Sequence, residues 1–138
     1  MIQEMQDSIL TRLGEQVTGI ALEAYPDEPT GYRLKHRKGA ALVRYMGASF
    51  RNQSLEWGAD AALEFLSQPG AMTLTWQVNL MMRSLKGNQG VYQKLDEIRA
   101  GLVGFKPTGG LELIPIKEGF IAEEDGIWNY FIQFRTTT

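Results

Sequence analysis

Residues 72–82, MTLTWQVNLMM, alternate so strictly that a β-strand with one covered face is the state that suits them. Leu74, Trp76, Val78, Leu80 and Met82 fall on one side, and Thr73, Thr75, Gln77, Asn79 and Met81 on the other. A strand this long cannot stand alone in water. The rest of the chain has to provide partner strands and something apolar to cover the tryptophan side.

Two stretches have the period to act as that cover. Ile2, Met5, Ile9, Leu13 and Val17 lie near one stripe, with Glu4, Asp7, Arg12 and Glu15 largely off it, which predicts an amphipathic helix over 2–17. Val91, Leu95, Ile98 and Leu102 sit at i, i+4, i+7 and i+11, predicting a second helix over 90–103 with Gln93, Lys94, Glu97 and Arg99 pointing away. The long strand is expected to bury Trp76, with Leu74 and Val78, beneath this second helix.

Further strands are read at IALEAY (20–25), which the turn cluster PDEPTG stops, and at AALVRYMG (40–47). LELIPIKEGFIAEE (111–124) and IWNYFIQFR (127–135) flank the turn around EEDG and predict a hairpin. In its second arm Trp128, Tyr130, Ile132 and Phe134 share a face and read as core. Pro115 cannot donate to a ladder, so its side of the first arm is expected at a bulge or an open edge. The order helix, strand, strand, strand, helix, strand, strand predicts an α+β fold: a largely antiparallel sheet of about five strands with two helices packed on one face, in one domain over 1–138. Residues 48–70 admit either a hairpin tip or a short helix over ADAALEFLSQ ended by Pro69 and Gly70. Phe50, Trp57 and Phe65 lie in that stretch and are candidate apolar anchors for a partner.

The segment RSLKGNQGVYQKLDEIRAGLVGF (83–105) places Lys86, Gly87 and Gly90 where strand gives way to helix, and so raises the question of a phosphate loop. A P-loop needs its lysine after the glycines and a hydroxyl next to it, whereas here Lys86 comes first and Val91 and Tyr92 open the helix. A dinucleotide fingerprint needs a third glycine, and a KH-type clamp joins two helices rather than a strand and a helix. The reading is a corner: Gly87 supplies a positive φ, and Asn88 or Gly90 the helix entry.

Catalytic patterns are equally sparse. Zero cysteines remove disulfides, thiolate ligands and cysteine nucleophiles. His36 is the sole histidine and sits among cations, which points to an exposed loop residue. The five serines have no nucleophile-elbow context, and the pairs Asp27–Glu28 and Glu123–Glu124 belong to turns. The expectation is a protein without catalytic residues, metal or cofactor. With no basic leader and no apolar run near the roughly 20 residues of a span, a soluble, unexported chain with no membrane partner is expected.

Charge is the remaining signal. The net value is −2, yet from Pro29 to Leu55 there is no acid, while Arg33, Lys35, Arg37, Lys38, Arg44 and Arg51 give +6 and leave −8 for the remainder. Such a chain can pair head to tail with copies of itself or turn one surface to a polyanion; a solvated basic loop is the plain alternative.

The helix IQEMQDSILTRL, the strand GAALVRYMGASF, the unit LTWQVNLMMRSLKGNQGVYQKLDEIRAGLVGFKP and the ending FIAEEDGIWNYFIQF together resemble a family of small tail proteins from Mu-like phages and prophages, the tail terminators. The likeness rests on order and spacing and covers most of the chain outside residues 51–70. It implies a structural protein that forms a homo-oligomeric ring, usually of six subunits, on the last layer of the tail tube. Such a ring stops tube growth and presents a surface to the head-tail connector or neck protein. DNA passes through its lumen without sequence-specific binding. The implied location is the virion tail or neck, and the host cytoplasm during assembly. Another phage neck or tail-completion protein, or a small nucleic-acid-binding module using the basic segment, are the competing expectations.

Overall fold

A computed structural model of the chain describes residues 1–27, 32–51 and 64–138. Helix α1 spans Ile2–Gln16, strand β1 Ala21–Ala24, β2 Gly39–Phe50 and β3 Met72–Met82; helix α2 spans Val91–Leu102, β4 Ile114–Glu124 and β5 Ile127–Thr137. The strands form one sheet in the order β1-β2-β3-β5-β4. Every pairing is antiparallel except β1 with β2, so the predicted α+β architecture holds with one parallel pair at its edge.

That parallel pair explains the segment between its strands. Adjacent parallel strands need a crossover, and here the chain returns across the face without helices. Leu34 is buried there with Ala40 and Leu42, among Tyr25, Tyr32, Met81 and Ile127. The turn predicted at 26–31 lies partly outside the described residues.

The helices cover the other face, where the alternation of β3 placed it. Met5, Ile9 and Leu13 of α1 and Val91, Leu95, Ile98 and Leu102 of α2 pack on Leu74, Trp76, Val78, Leu80, Ile132 and Phe134. Trp76 also meets α1, which was not expected: its Nε1 donates to Met5 Sδ at 3.1 Å. The Tyr45 ring lies 5.3 Å from it. Strand order accounts for the contact, since β3 lies next to β2 and α1 packs over that side of the sheet, while α2 packs on β3 and β5. Ile2, expected in the α1 stripe, is exposed at the helix start, so the stripe begins at Met5.

Lys94 departs from expectation in the other direction. It is 2% exposed, not solvated, and its Nζ reaches Glu97 Oε2 at 3.0 Å one turn along. Glu97 also accepts from the Thr18 amide at 3.3 Å, so the ion pair ties α2 to the link between α1 and β1.

Strand β2 runs past its predicted end to Phe50, with a bulge between Tyr45 and Gly47. In the stretch read either way, residues 48–50 are therefore strand, residues 64–67 are helical, and residues 52–63 lie outside the described residues. No helix among the described residues is long and apolar enough to cross a membrane.

Candidate assembly surface

The corner at 83–90 takes its shape from its own backbone. Gly87 has φ +89°, and Gly90 stands at the α2 N-terminus, where an added Cβ would collide with the Lys86 carbonyl. The amides of Val91 and Tyr92, which a phosphate would have to recruit, donate to Ser84 O at 3.0 Å and Leu85 O at 3.3 Å. The donors that create an anion site at a helix start are already committed here.

The six cations of the acid-free segment do not form one patch. Lys38 and Arg51 bracket the twelve residues of β2, which at about 3.3 Å per residue puts them roughly 40 Å apart. Arg44 lies between them on the open face with its guanidinium 4.7 Å above the Tyr25 ring. Arg51 donates to Gln68 Oε1 and stacks 5.0 Å over Phe65. Arg33, Lys35, Arg37 and Lys38 are exposed, with Arg37 and Lys38 beside the start of β1 and Arg33 at the hollow next to the β4–β5 turn. Arg83, the residue after β3, ties down the backbone of this segment, donating to the carbonyls of His36 at 3.3 Å and Leu34 at 3.1 Å. His36, read as an exposed loop residue, is half-buried and paired with Glu23 of β1 at 2.8 Å. Burial, and secondarily Glu23, holds the Tyr32 phenol above its ordinary pKa.

The candidate anchors also separate. Phe50 is 59% exposed at the end of β2, but Phe65 is buried within its own chain. Its burial removes it as a partner anchor, and Trp57 lies outside the described residues. Trp128 and Tyr130, read as core, are half-buried and packed against the main core.

A group of exposed apolar side chains that was not anticipated from the sequence lies on β4. Ile114, Ile116, Phe120 and Ile121 are each about half exposed, because β4 is an edge strand that neither helix covers. Phe120 continues a ring cluster, 5.4 Å from Tyr130 and 6.2 Å from Trp128, and Tyr92 of α2 joins it 6.5 Å from Tyr130. Burial, followed by Tyr92, raises the Tyr130 pKa. Arg99 crosses from α2 to Glu118 Oε1 at 2.6 Å, and this bond leads the causes that raise its own pKa. Pro115 sits where its missing donor predicted, on the edge and beside a bulge. Register shifts fall between Pro115 and Lys117 and between Phe120 and Ala122, leaving Ile116 and Ile121 as the extra residues. Bulges and proline twist an edge away from continuous pairing, so β4 offers side chains more readily than a ladder. The signal available beforehand was Pro115 within the strand.

The opposite sheet face carries an amide row: Gln133 Nε2 donates to Gln77 Oε1, and Gln77 Nε2 to Asn79 Oδ1, both at 2.8 Å. Next to it, Arg33, Leu34, Glu124 and Asp125 border a hollow of about 470 Å³. Among the described residues no group of three or more His, Cys, Asp or Glu is placed to hold a metal ion.

What this surface defines is a domain with a packed interior and unspent apolar edge contacts, and comparison with known sequences identifies it as a phage protein. The chain belongs to the Gp37 protein family, which it matches over residues 9–138. No curated protein matches it.

Proposed function

We propose that the protein is a phage tail terminator that acts by stoichiometric assembly rather than catalysis. In this reading copies of the chain close into a ring, six being the number the tail-terminator resemblance implies. The ring seats on the end of the tail tube, stops its polymerisation and offers its far side to the neck. The observation that carries the reading is β4: an eleven-residue edge with four half-exposed apolar side chains, broken as a pairing template by Pro115 and two bulges. A surface of this kind favours association through side-chain packing and disfavours endless strand addition. Membership of a phage family supplies the context.

The test is mass measurement in solution followed by negative-stain imaging with tube protein. Rings, and tubes of limited length capped by them, are the expected outcome. A chain that stays monomeric and leaves tube length unchanged rules the reading out.

One observation favours a second reading, contact with DNA: the exposed cations Arg33, Lys35, Arg37 and Lys38 of one segment, with Arg83 bonded to its backbone. A nucleic-acid module would bind DNA as a monomer with an affinity that falls steeply with salt. A terminator assembles without DNA.

A further inference from the structure

Following one row of residues straight across the sheet brings the two charged corners to the same level. Gly39 of β2 pairs with Met82 of β3, Met82 with Trp128 of β5, and Trp128 with Glu123 of β4. Arg37 and Lys38 immediately precede Gly39 beside the β1 edge, where they border a recess with Gly19, Ile20 and Ala21. At the far end of the row Glu123 and Glu124 close the β4 edge. None of these four charges has an ion-pair partner among the described residues; Glu123 only accepts the Gly126 amide at 2.8 Å within its turn. In this row Arg37 and Lys38 thus stand at the β1 side and Glu123 and Glu124 at the β4 side, with Arg33 bordering the hollow beside Glu124.

Rotation about an axis roughly along the strands keeps rows level from one copy to the next, so a heterologous ring contact brings patch A of one copy to patch B of its neighbour. β4 also runs antiparallel to β1, because the strand order passes through three antiparallel steps after the parallel one.

We propose that the partner of the β4 edge is the β1 edge of a second copy of this chain. Glu123 and Glu124 of one subunit face Arg37 and Lys38 of the next, while Ile116, Phe120 and Ile121 supply the apolar contact. This inference rests on the ring reading and names the surfaces that close it. The charges fix register and encounter, and the apolar side chains provide the driving force. The bulges let β4 pack without extending the sheet into a filament.

The experiment is a charge swap. Arg37→Glu with Lys38→Glu places acid at both edges, and Glu123→Lys with Glu124→Lys places base at both. Each double variant should fold, by circular dichroism, and should need at least about tenfold more protein to associate in sedimentation, as expected when like charges meet across an interface. The chain carrying all four substitutions should recover association, and so should an equimolar mixture of the two doubles. Doubles that associate as the wild type does, or a quadruple variant that stays as weak as the doubles, would overturn the pairing while leaving the terminator reading intact. A wild-type chain that forms no oligomer, with or without tube protein, would overturn both.

Discussion

Trp76 and Gln77 are consecutive residues of one strand, and both are almost hidden from solvent, at 1% and 8% exposed. They are hidden by different means. Trp76 lies under a helix that starts some seventy residues earlier and meets it through Met5. Gln77 lies on the face without helices and is enclosed by its neighbours in the sheet, Gln133 and Asn79. The first face is a core built from distant parts of the chain, whereas the second is a surface that satisfies itself. Most of the packed core therefore lies on one side of the sheet; the other side has only the smaller cluster around Leu34 and Leu42, and the β4 edge is left available for contacts with other molecules.

The sharpest way to break this comparison is Trp76→Ala. Removing a fully packed indole should cost about 3–5 kcal/mol, read as a fall in the denaturation midpoint. A midpoint that barely moves would mean that α1 does not cover this face. Lys94→Ala probes the polar exception on the helix side. It leaves the Glu97 carboxylate with the Thr18 amide and partial solvent, at an expected cost of about 1–3 kcal/mol. Lys94→Met, which keeps the aliphatic stem, should recover part of that loss. On the amide face, Gln77→Leu should cost only about 1 kcal/mol, because Gln133 and Asn79 are half-exposed and water can take over their lost bonds. A loss as large as that of Trp76→Ala would erase the distinction between the faces. Smallest of all, Arg37→Glu with Lys38→Glu should change the unfolding free energy by less than about 0.5 kcal/mol, since both side chains are exposed and free of carboxylate partners among the described residues. Measured beside the association of the same variant, that near-zero value separates a role in folding from one in assembly.

How much of this was legible in the sequence follows from the range of each signal. Alternation reports which side of β3 is covered, and the helical period of Leu95, Ile98 and Leu102 reports the face of α2, because both are local geometry. Pro115 announced an edge since its chemistry forbids a ladder bond wherever it sits. Pattern alone does not say which helix meets which strand, and the contact of Trp76 with Met5 of α1 was accordingly missed. The parallel pairing of β1 is also a long-range choice that its four residues do not encode. Lys94 misled because charge usually marks the solvated side; only the contact with Glu97 and the nearby α1–β1 link makes its burial affordable. The acid-free segment suggested one patch, but a straight β2 spreads its cations along the sheet. Nothing local marks the apolar residues of β4 as exposed, because strand order, a long-range property, is what leaves them at the margin with no helix above them.

Lys94 also gives the molecule an internal clock for chemical labelling. The other five lysines, at 35, 38, 86, 106 and 117, are exposed. An amine-reactive reagent will modify those quickly, while Lys94 must wait for α2 to lift from the α1–β1 link. The lag between the five and the sixth, followed by peptide mass, is a direct reading of how often this region opens in the intact protein. Reagent uptake at Lys38 and at Lys117 reports separately on the two sheet edges, so one labelling experiment distinguishes a subunit that has docked from one that has come apart.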